Sequence, residues 1–254
     1  TRVNTGFEPI PYPESKTDNP HVYFSMGTTA ENVAKKYKIS RTEQQEFSIL
    51  SHQKAYNAEI NGNFKSEIVK IHDCEKDDNI RPDSDQEKLD KLRTAFDSEG
   101  TVTAATSSPL TDGAAAILIC EENYAKENNL TILGRILSTA VEGCDPNFMG
   151  LGPIFASKKA LKRANLSINK IDIVELNEAF ASQSLACIKD LGLDINKVNI
   201  DGGALALGHP LGATGARITG KAAMLLKREN KKYALSTQCI GLGMGIATVI
   251  ESVD

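Results

Sequence analysis

Residues 171–192 read IDIVELNEAFASQSLACIKDLG, and this stretch decides the fold class. Ile171–Leu176 is a short apolar run that predicts a buried strand. Ala179–Leu191 predicts a helix, and Gly192 stands where glycine commonly closes one. A strand that leads directly into a helix is the building unit of α/β layered folds.

The same alternation continues on both sides of this stretch. Four further strands are predicted, at Ala114–Cys120, Ile132–Val141, Tyr233–Cys239 and Ile246–Glu251, and the last two are close enough for a hairpin. Further helices are predicted at Glu121–Asn128, Pro153–Asn165 and Gly212–Lys227. We therefore expect an α/β fold in which a mixed five-stranded sheet is layered with helices.

The front of the chain predicts helices and loops with little strand. Two capping boxes, Thr28–Glu31 and Ser40–Glu43, mark helix starts, and Asn61-Gly62 is a stop signal for the second helix. Ser84–Leu92 is a shorter helical stretch. Four prolines, Pro9, Pro11, Pro13 and Pro20, predict an extended or looping segment at the start.

Composition excludes several classes of protein. The 254 residues include 41% apolar side chains, too many for a disordered chain, and the net charge is −4, which argues against a nucleic-acid partner. No apolar run approaches the roughly 18 residues of a membrane span. The sequence begins at Thr1, which predicts either a processed start or the later part of a longer protein.

Cysteine usage favours free thiols in a reducing compartment. The chain has an odd number of cysteines and lacks a C-x-x-C pair, which argues against a disulfide scaffold and a structural zinc site. The five are Cys74, Cys120, Cys144, Cys187 and Cys239.

Three segments carry side chains that could do chemistry, and each has an ordinary structural explanation. Asn177-Glu178 follows a strand, where Asn is commonly a helix N-cap but could also position a substrate oxygen. His209 lies in a glycine-rich turn, where a lone histidine is more often inert than catalytic. Cys239 ends a strand before Gly241, which is typical of a buried cysteine but could also place a thiol beside free backbone N–H groups.

In order and spacing, these segments resemble the motifs of the thiolases, the 3-ketoacyl-CoA thiolases and acetyl-CoA acetyltransferases. The segments are Asn177–Phe180 (N-E-A-F), Gly202–Arg217 (G-G-A-x-A-L-G-H-P-x-G-A-T-G-A-R) and Cys239–Gly245 (C-I-G-x-G-M-G). The likeness extends to Ser25–Ala34, Ile80–Pro82, Lys91–Phe96, Gly100–Gly113 and Asn147–Pro153.

The resemblance implies thiolytic cleavage of a 3-ketoacyl-CoA into acetyl-CoA and a shortened acyl-CoA, reversible by Claisen condensation, with two cysteines taking part. It makes Cys239 the acid/base cysteine. His209 would activate the nucleophilic cysteine, Asn177 would hold a water of one oxyanion hole, and the Gly241 N–H would contribute to a second. Coenzyme A would be a substrate, with no permanently bound cofactor and no metal.

The resemblance also implies a binding site for CoA and its thioester. Arg81, Phe96 and Ser108 would bind CoA, with Arg81 near the adenine. The thioester pocket would be lined by Met26, Met149, Ala179 and Phe180.

One departure from the family pattern concerns the nucleophile. The family's nucleophilic cysteine lies in the amino-terminal half in a C-S-[SG]-G-like context, which none of the five cysteines matches. We therefore expect a thiolase that lacks its front part, inactive by itself. Residues 1–111 would be a mostly helical, CoA-binding loop domain, 112–131 the last strand and helix of the amino-terminal half, and 132–254 the carboxy-terminal domain.

Several alternatives stay open. The chain could belong to an acetyltransferase that forms acetoacetyl-CoA, or be a CoA-binding fragment without turnover. A condensing enzyme of fatty-acid or polyketide synthesis is disfavoured by Cys239. The segment Phe7–Phe24, where the family reads acyl length, favours broader 3-ketoacyl substrates. The family also implies a homo-oligomer, dimer or tetramer, with a cytoplasmic location in a bacterium and a mitochondrial or peroxisomal one in a eukaryote.

Overall fold

A mixed four-stranded sheet forms the centre of the molecule in a computed structural model that describes residues 17–18 and 20–253. The strands are β1 (Arg135–Gly143), β2 (Ile173–Leu176), β3 (Tyr233–Ile240) and β4 (Met244–Glu251). Their order across the sheet is β1-β4-β3-β2. β2 and β3 are parallel, whereas β4 is antiparallel to both β1 and β3, so the predicted mixed sheet and carboxy-terminal hairpin are confirmed.

Eight α-helices surround this sheet within the described residues. They are α1 (Met26–Tyr37), α2 (Arg41–Ile60), α3 (Gln86–Asp90), α4 (Glu122–Glu127), α5 (Gly152–Arg163), α6 (Ala181–Leu191), α7 (Ala204–Leu207) and α8 (Thr214–Arg228). Short 3-10 helices occupy Pro20–Tyr23, Ala104–Thr106, Pro146–Leu151, Ile168–Lys170 and Ile195–Lys197. The predicted helices are present with ends that differ by a few residues, and none of them is long and apolar enough to cross a membrane.

Both faces of the sheet are covered because successive strand residues point to opposite sides. Leu235 and Val249 pack into a core cluster with side chains of α5 and α6. Their chain neighbours Ala234 and Ile250 pack instead with Leu225 and other side chains of α8. Two helical layers therefore enclose the sheet, as expected of an α/β fold.

The predicted fifth strand, Ala114–Cys120, is wrong. These residues adopt no regular structure, and Leu118 and Ile119 are 75% and 64% exposed. An apolar run becomes a strand only where a neighbouring strand pairs with its backbone N–H and C=O groups, and none of β1–β4 pairs with it.

The two capping boxes have different outcomes. Ser40 and Glu43 form one at the start of α2, as predicted. The first prediction is wrong, because α1 begins at Met26 with Ser25 as its N-cap. Glu31 instead accepts hydrogen bonds from the backbone N–H groups of Thr101 and Val102 at 2.8 to 3.0 Å. Pro9, Pro11, Pro13 and most of Phe7–Phe24 lie outside the described residues, whereas Pro20 begins a 3-10 helix rather than an extended segment.

Candidate active site

The parallel pair β2–β3 places the candidate residues at one edge of the sheet. Leu176 lies opposite Thr237, and the Asn177 N–H donates to the Thr237 carbonyl at 3.0 Å. Residues Asn177-Glu178 therefore leave β2 beside the end of β3, which carries Cys239. Ligand sites of α/β sheets commonly form at the carboxyl ends of parallel strands.

Asn177 faces His209 rather than capping a helix. α6 begins at Ala181 with Phe180 in the N-cap position, so the N-cap interpretation of Asn177 is wrong. The Asn177 Nδ2 lies 3.3 Å from the His209 Nε2, and its buried Oδ1 has no hydrogen-bond partner in the described part of the chain. A buried polar atom without a partner is free to bind a water or a ligand atom.

His209 is held between a strained turn and a helix start. Gly208 adopts φ +92°, which favours glycine, and α8 begins five residues after His209 at Thr214. Burial, together with the positive charge of Arg217, lowers the pKa of the His209 imidazole below its ordinary value. The ring is therefore neutral near pH 7 and can accept a proton.

Cys239 lies in a small apolar cluster with Met149 and Ala179, against which Phe180 packs. Burial raises the pKa of its thiol to about 12. The thiol is therefore protonated at neutral pH, which suits it to donate a proton before it acts as a base.

The turn between β3 and β4 supplies an unused backbone donor. Leu242 and Gly243 adopt positive φ there, and the Gly243 carbonyl accepts from the Cys144 N–H at 2.8 Å. The Gly241 N–H, by contrast, donates to no group in residues 20–253. An unpaired N–H close to Cys239 in sequence can stabilise a developing negative charge.

Two further predicted binding residues, Ser108 and Phe96, lie next to Ala179 and Phe180. The Ser108 N–H donates to the Ala179 carbonyl at 3.0 Å, and the Phe96 ring meets the Phe180 ring edge-on at 5.9 Å between centroids. Phe96 also packs against Gly27, the neighbour of Met26. Phe96 and Met26 are 47% and 37% exposed, so a ligand in solution can reach them.

Arg81 is a predicted site residue that has no recorded contact with the others. Its backbone N–H donates to the His52 Nδ1 at 3.1 Å, and the residue is exposed. Within the described residues, no hydrogen bond, ion pair or ring contact joins it to the remaining ten.

The sequence analysis missed Glu178 as the junction of the site. Its buried carboxylate accepts hydrogen bonds from the Ser51 Oγ at 2.7 Å, the Asn199 Nδ2 at 2.7 Å and the Leu205 N–H at 3.1 Å. Glu178, just after the end of β2, is thus hydrogen-bonded to α2 through Ser51 and to α7 through Leu205. Its position next to Asn177 was the available signal, but an acid in a helix first turn is too common to reveal it.

The other cysteines are poorly placed to act as nucleophiles. Burial raises the pKa of Cys144 to about 11 and raises that of Cys187 further, so both are protonated thiols. Cys74 and Cys120 are exposed and lie in segments outside the strand ends described above. Across residues 20–253, no three His, Cys, Asp or Glu side chains are grouped as a metal site requires.

The buried carboxyl group of Glu175 leads us to expect that the stability of the fold depends on pH. Burial raises the pKa of its carboxyl from 4.5 to about 7, against the opposing effect of Arg217 and Lys221 and with small contributions from Asp201 and Glu67. The folded state therefore binds more protons than the unfolded state between those values. We expect the free energy of unfolding to fall by about 1–3 kcal/mol from this group as the pH rises from 4.5 to 7.

Urea denaturation of wild type and Glu175→Gln across this pH range measures that effect. The variant should lose the decrease, whereas Glu46→Gln, an exposed change on α2, should keep it. Parallel pH profiles for wild type and Glu175→Gln would contradict the prediction.

Two family models match most of the chain. The model described as thiolase, C-terminal domain, matches residues 130–252, and that described as thiolase, N-terminal domain, matches residues 13–123. A 3-ketoacyl-CoA thiolase of Vibrio vulnificus strain YJ016 is 52% identical over 239 residues, which is 89% of this chain and 62% of that protein.

Solved structures give the same result. A structure of human mitochondrial 3-ketoacyl-CoA thiolase in complex with CoA has a TM-score of 0.87 and 44% identity, covering 93% of this chain and 61% of that one. The Bacillus anthracis acetyl-CoA acetyltransferase also has a TM-score of 0.87, with 42% identity, covering 91% of this chain and 60% of that one. The chain therefore spans about three fifths of the length of the relatives it matches.

Proposed function

Because the chain belongs to the thiolase family, we propose that it carries the acid/base part of a 3-ketoacyl-CoA thiolase active site. The observation that carries this proposal is the convergence at one sheet edge. The Asn177–His209 pair leaves a buried oxygen unpaired, and Cys239 packs against Ala179, which follows Asn177 by two residues.

In this proposal Cys239 moves the protons of both half-reactions. A nucleophilic thiolate adds to the 3-keto carbon, the Cα–Cβ bond breaks, and the electron pair stays on Cα as an enolate. The Cys239 thiol protonates that carbon, which releases acetyl-CoA. The resulting Cys239 thiolate takes the proton of an incoming CoA thiol, whose sulfur accepts the acyl group and frees the nucleophile.

The oxyanion donors stabilise the charge that develops on oxygen. His209 and a water held by the Asn177 Oδ1 would bind the thioester oxygen of the enolate, and the Gly241 N–H would bind the oxygen of the tetrahedral intermediate. Removal of one such donor typically costs about 10²–10³ in rate.

The substrate side of the proposal is a CoA thioester. Phe96, Ser108 and Phe180 would hold the pantetheine arm next to Met26, Met149 and Ala179, and the exposed Arg81 would meet the adenine end. The relative solved with bound CoA supports this choice of ligand.

Calorimetric titration of CoA into the chain tests the binding half of the proposal. We expect a saturable heat that Phe96→Ala weakens, because the substitution removes the ring that packs on Phe180. The exposed Tyr124→Ala serves as a control with unchanged binding. An absence of heat at millimolar CoA would overturn the proposal.

A second test concerns the nucleophile. Intact-mass analysis of the chain after incubation with acetoacetyl-CoA should show no acetyl adduct, because none of the five cysteines matches the nucleophile motif and the three half-buried or buried thiols have raised pKa values. Peptide mapping locates any adduct that does form. An acetyl thioester on one of the five cysteines would contradict this prediction.

We also propose the domain division 1–111, 112–131 and 132–254. The two family-model matches, which end at 123 and begin at 130, support a division close to residue 131. The homo-oligomer and the compartment remain predictions.

The alternative function is an acetyltransferase that forms acetoacetyl-CoA. The match to the Bacillus anthracis acetyl-CoA acetyltransferase, at 42% identity, is the observation that favours it. A series of 3-ketoacyl-CoA substrates of increasing length separates the two, since the acetyltransferase would be restricted to acetoacetyl-CoA.

A further inference from the structure

The side of His209 that faces away from Asn177 contacts Thr214. The His209 Nδ1 lies 2.6 Å from the Thr214 Oγ1, and Thr214 is only 1% exposed in the first turn of α8. The two ring nitrogens thus have different partners, Thr214 at Nδ1 and Asn177 at Nε2. Which nitrogen carries the proton of a neutral imidazole is set by such partners.

The direction of the Thr214 hydrogen bond follows from its second contact. Its Oγ1 also lies 3.1 Å from the Pro210 carbonyl, four residues earlier. This is the common back-bonding geometry of threonine in a helix, in which the hydroxyl donates to the carbonyl. Because a hydroxyl has a single hydrogen, the Thr214 Oγ1 is then an acceptor toward the His209 Nδ1.

The Asn177 contact leads to the same assignment. The Asn177 Nδ2, a donor, is the atom 3.3 Å from the His209 Nε2. A proton on Nε2 would place two donors face to face, whereas an unprotonated Nε2 accepts from the amide. Both neighbours therefore favour a proton on Nδ1.

We propose that Thr214 is a positioning residue that holds His209 in the Nδ1–H tautomer and keeps the Nε2 lone pair turned toward Asn177. The start of α8 contributes as well, because the positive end of a helix dipole disfavours the imidazolium form. The neutral ring thus presents its unprotonated Nε2 to the candidate active site.

The chemical value of this arrangement rests on the function proposed above. A neutral His209 with an unprotonated Nε2 can take the proton of a thiol in place of the Asn177 hydrogen bond, so that an S–H bond breaks and an N–H bond forms. The resulting Nε2–H then faces the position of the thioester oxygen and can donate to it. The opposite tautomer would present a hydrogen where a lone pair is needed.

Nuclear magnetic resonance of the chain labelled with ¹⁵N-histidine tests the proposal without any substrate. The four histidines give separate ring signals, and His209→Asn identifies those of His209. Near neutral pH we expect a protonated, pyrrole-type Nδ1 and an unprotonated, pyridine-type Nε2. A protonated Nε2 as the major form in the wild type would overturn the proposal.

Variants of Thr214 test whether this residue is the cause. Thr214→Val removes the acceptor at nearly constant shape, so the population of the Nε2–H form should rise above its wild-type level. Thr214→Ser should restore the wild-type signals. Thr219→Val is the matched control, since Thr219 back-bonds to Gly215 at 2.7 Å on the same helix but does not contact His209.

The outcomes separate this proposal from the proposed function. An unchanged tautomer in folded Thr214→Val, checked by circular dichroism, would refute it even if CoA binds. If Thr214→Val does not fold, the tautomer of the wild type decides whether the proposal stands. A loss of the Nδ1–H form in folded Thr214→Ser also counts against the proposal. If CoA does not bind but the Nδ1–H tautomer is present, only the proposed function is refuted.

Discussion

Replacement of Cys239 by alanine is expected to lower kcat for acetoacetyl-CoA thiolysis by about 10³ in a protein that contains both thiolase halves. A suitable protein is a chimera in which the part of the Vibrio vulnificus relative that this chain does not cover is joined to this chain. The loss is large because, in the mechanism proposed here, the same thiol protonates the enolate carbon and deprotonates the incoming CoA. KM for acetoacetyl-CoA changes little, since the small buried thiol contributes little binding surface.

The control for this prediction is Cys74→Ala, which removes an exposed thiol and should leave kcat within about twofold of the parent chimera. His209→Asn should lower kcat by a comparable factor, while His72→Asn, in an exposed turn at positive φ that asparagine tolerates, should not. A Cys239→Ala chimera that retains more than a tenth of the parent rate would show that another group supplies the proton.

Replacement of Glu178 by alanine lowers the free energy of unfolding by about 3 kcal/mol. The substitution leaves the Leu205 N–H buried without an acceptor and removes the shared partner of Ser51 and Asn199. It also opens a space next to Gly203, because the Glu178 carboxylate fills the position that a Cβ atom would need at that glycine. Urea denaturation followed by circular dichroism measures the change.

Glu178→Gln separates the lost hydrogen bonds from the lost volume. Glutamine keeps the shape but replaces one acceptor oxygen by a donor, so at least one of the three donors loses its partner. We expect a loss of about 1–3 kcal/mol for this variant. The control, Glu127→Ala in the exposed helix α4, should stay within about 0.5 kcal/mol of wild type. A similarly small effect of Glu178→Ala would refute the view that Glu178 joins α2 to the site.

Local patterns predicted the elements well where short-range interactions decide them. The capping box at Ser40, the closing Gly192 and the hairpin of β3 and β4 depend on residues close in sequence, and all three are present. The order and spacing of the motifs also indicate the thiolase family without reference to the fold. These features depend on backbone geometry and hydrogen bonds within a few residues, which a single sequence displays directly.

Predictions that required a distant partner were the ones that needed correction. Glu31 matched a capping box, but its carboxylate accepts from backbone groups about 70 residues away. Ala114–Cys120 is apolar enough for a strand, yet none of the sheet's strands pairs with it. In both cases the residue types fitted the prediction. The structure was decided by distant parts of the chain, which supply donors to Glu31 and no partner strand to Ala114–Cys120.

The sequence by itself determined the α/β class, the thiolase motifs and the identity of Cys239, His209 and Asn177 as candidates, because spacing and residue type are local properties. Only the tertiary structure decided that Asn177 meets His209 across 32 residues of chain and that Glu178 receives the hydroxyl of Ser51 across 127. No pattern along the chain specifies which distant donor reaches a buried acceptor, because the partners are set by how separate helices and loops pack around the end of β2.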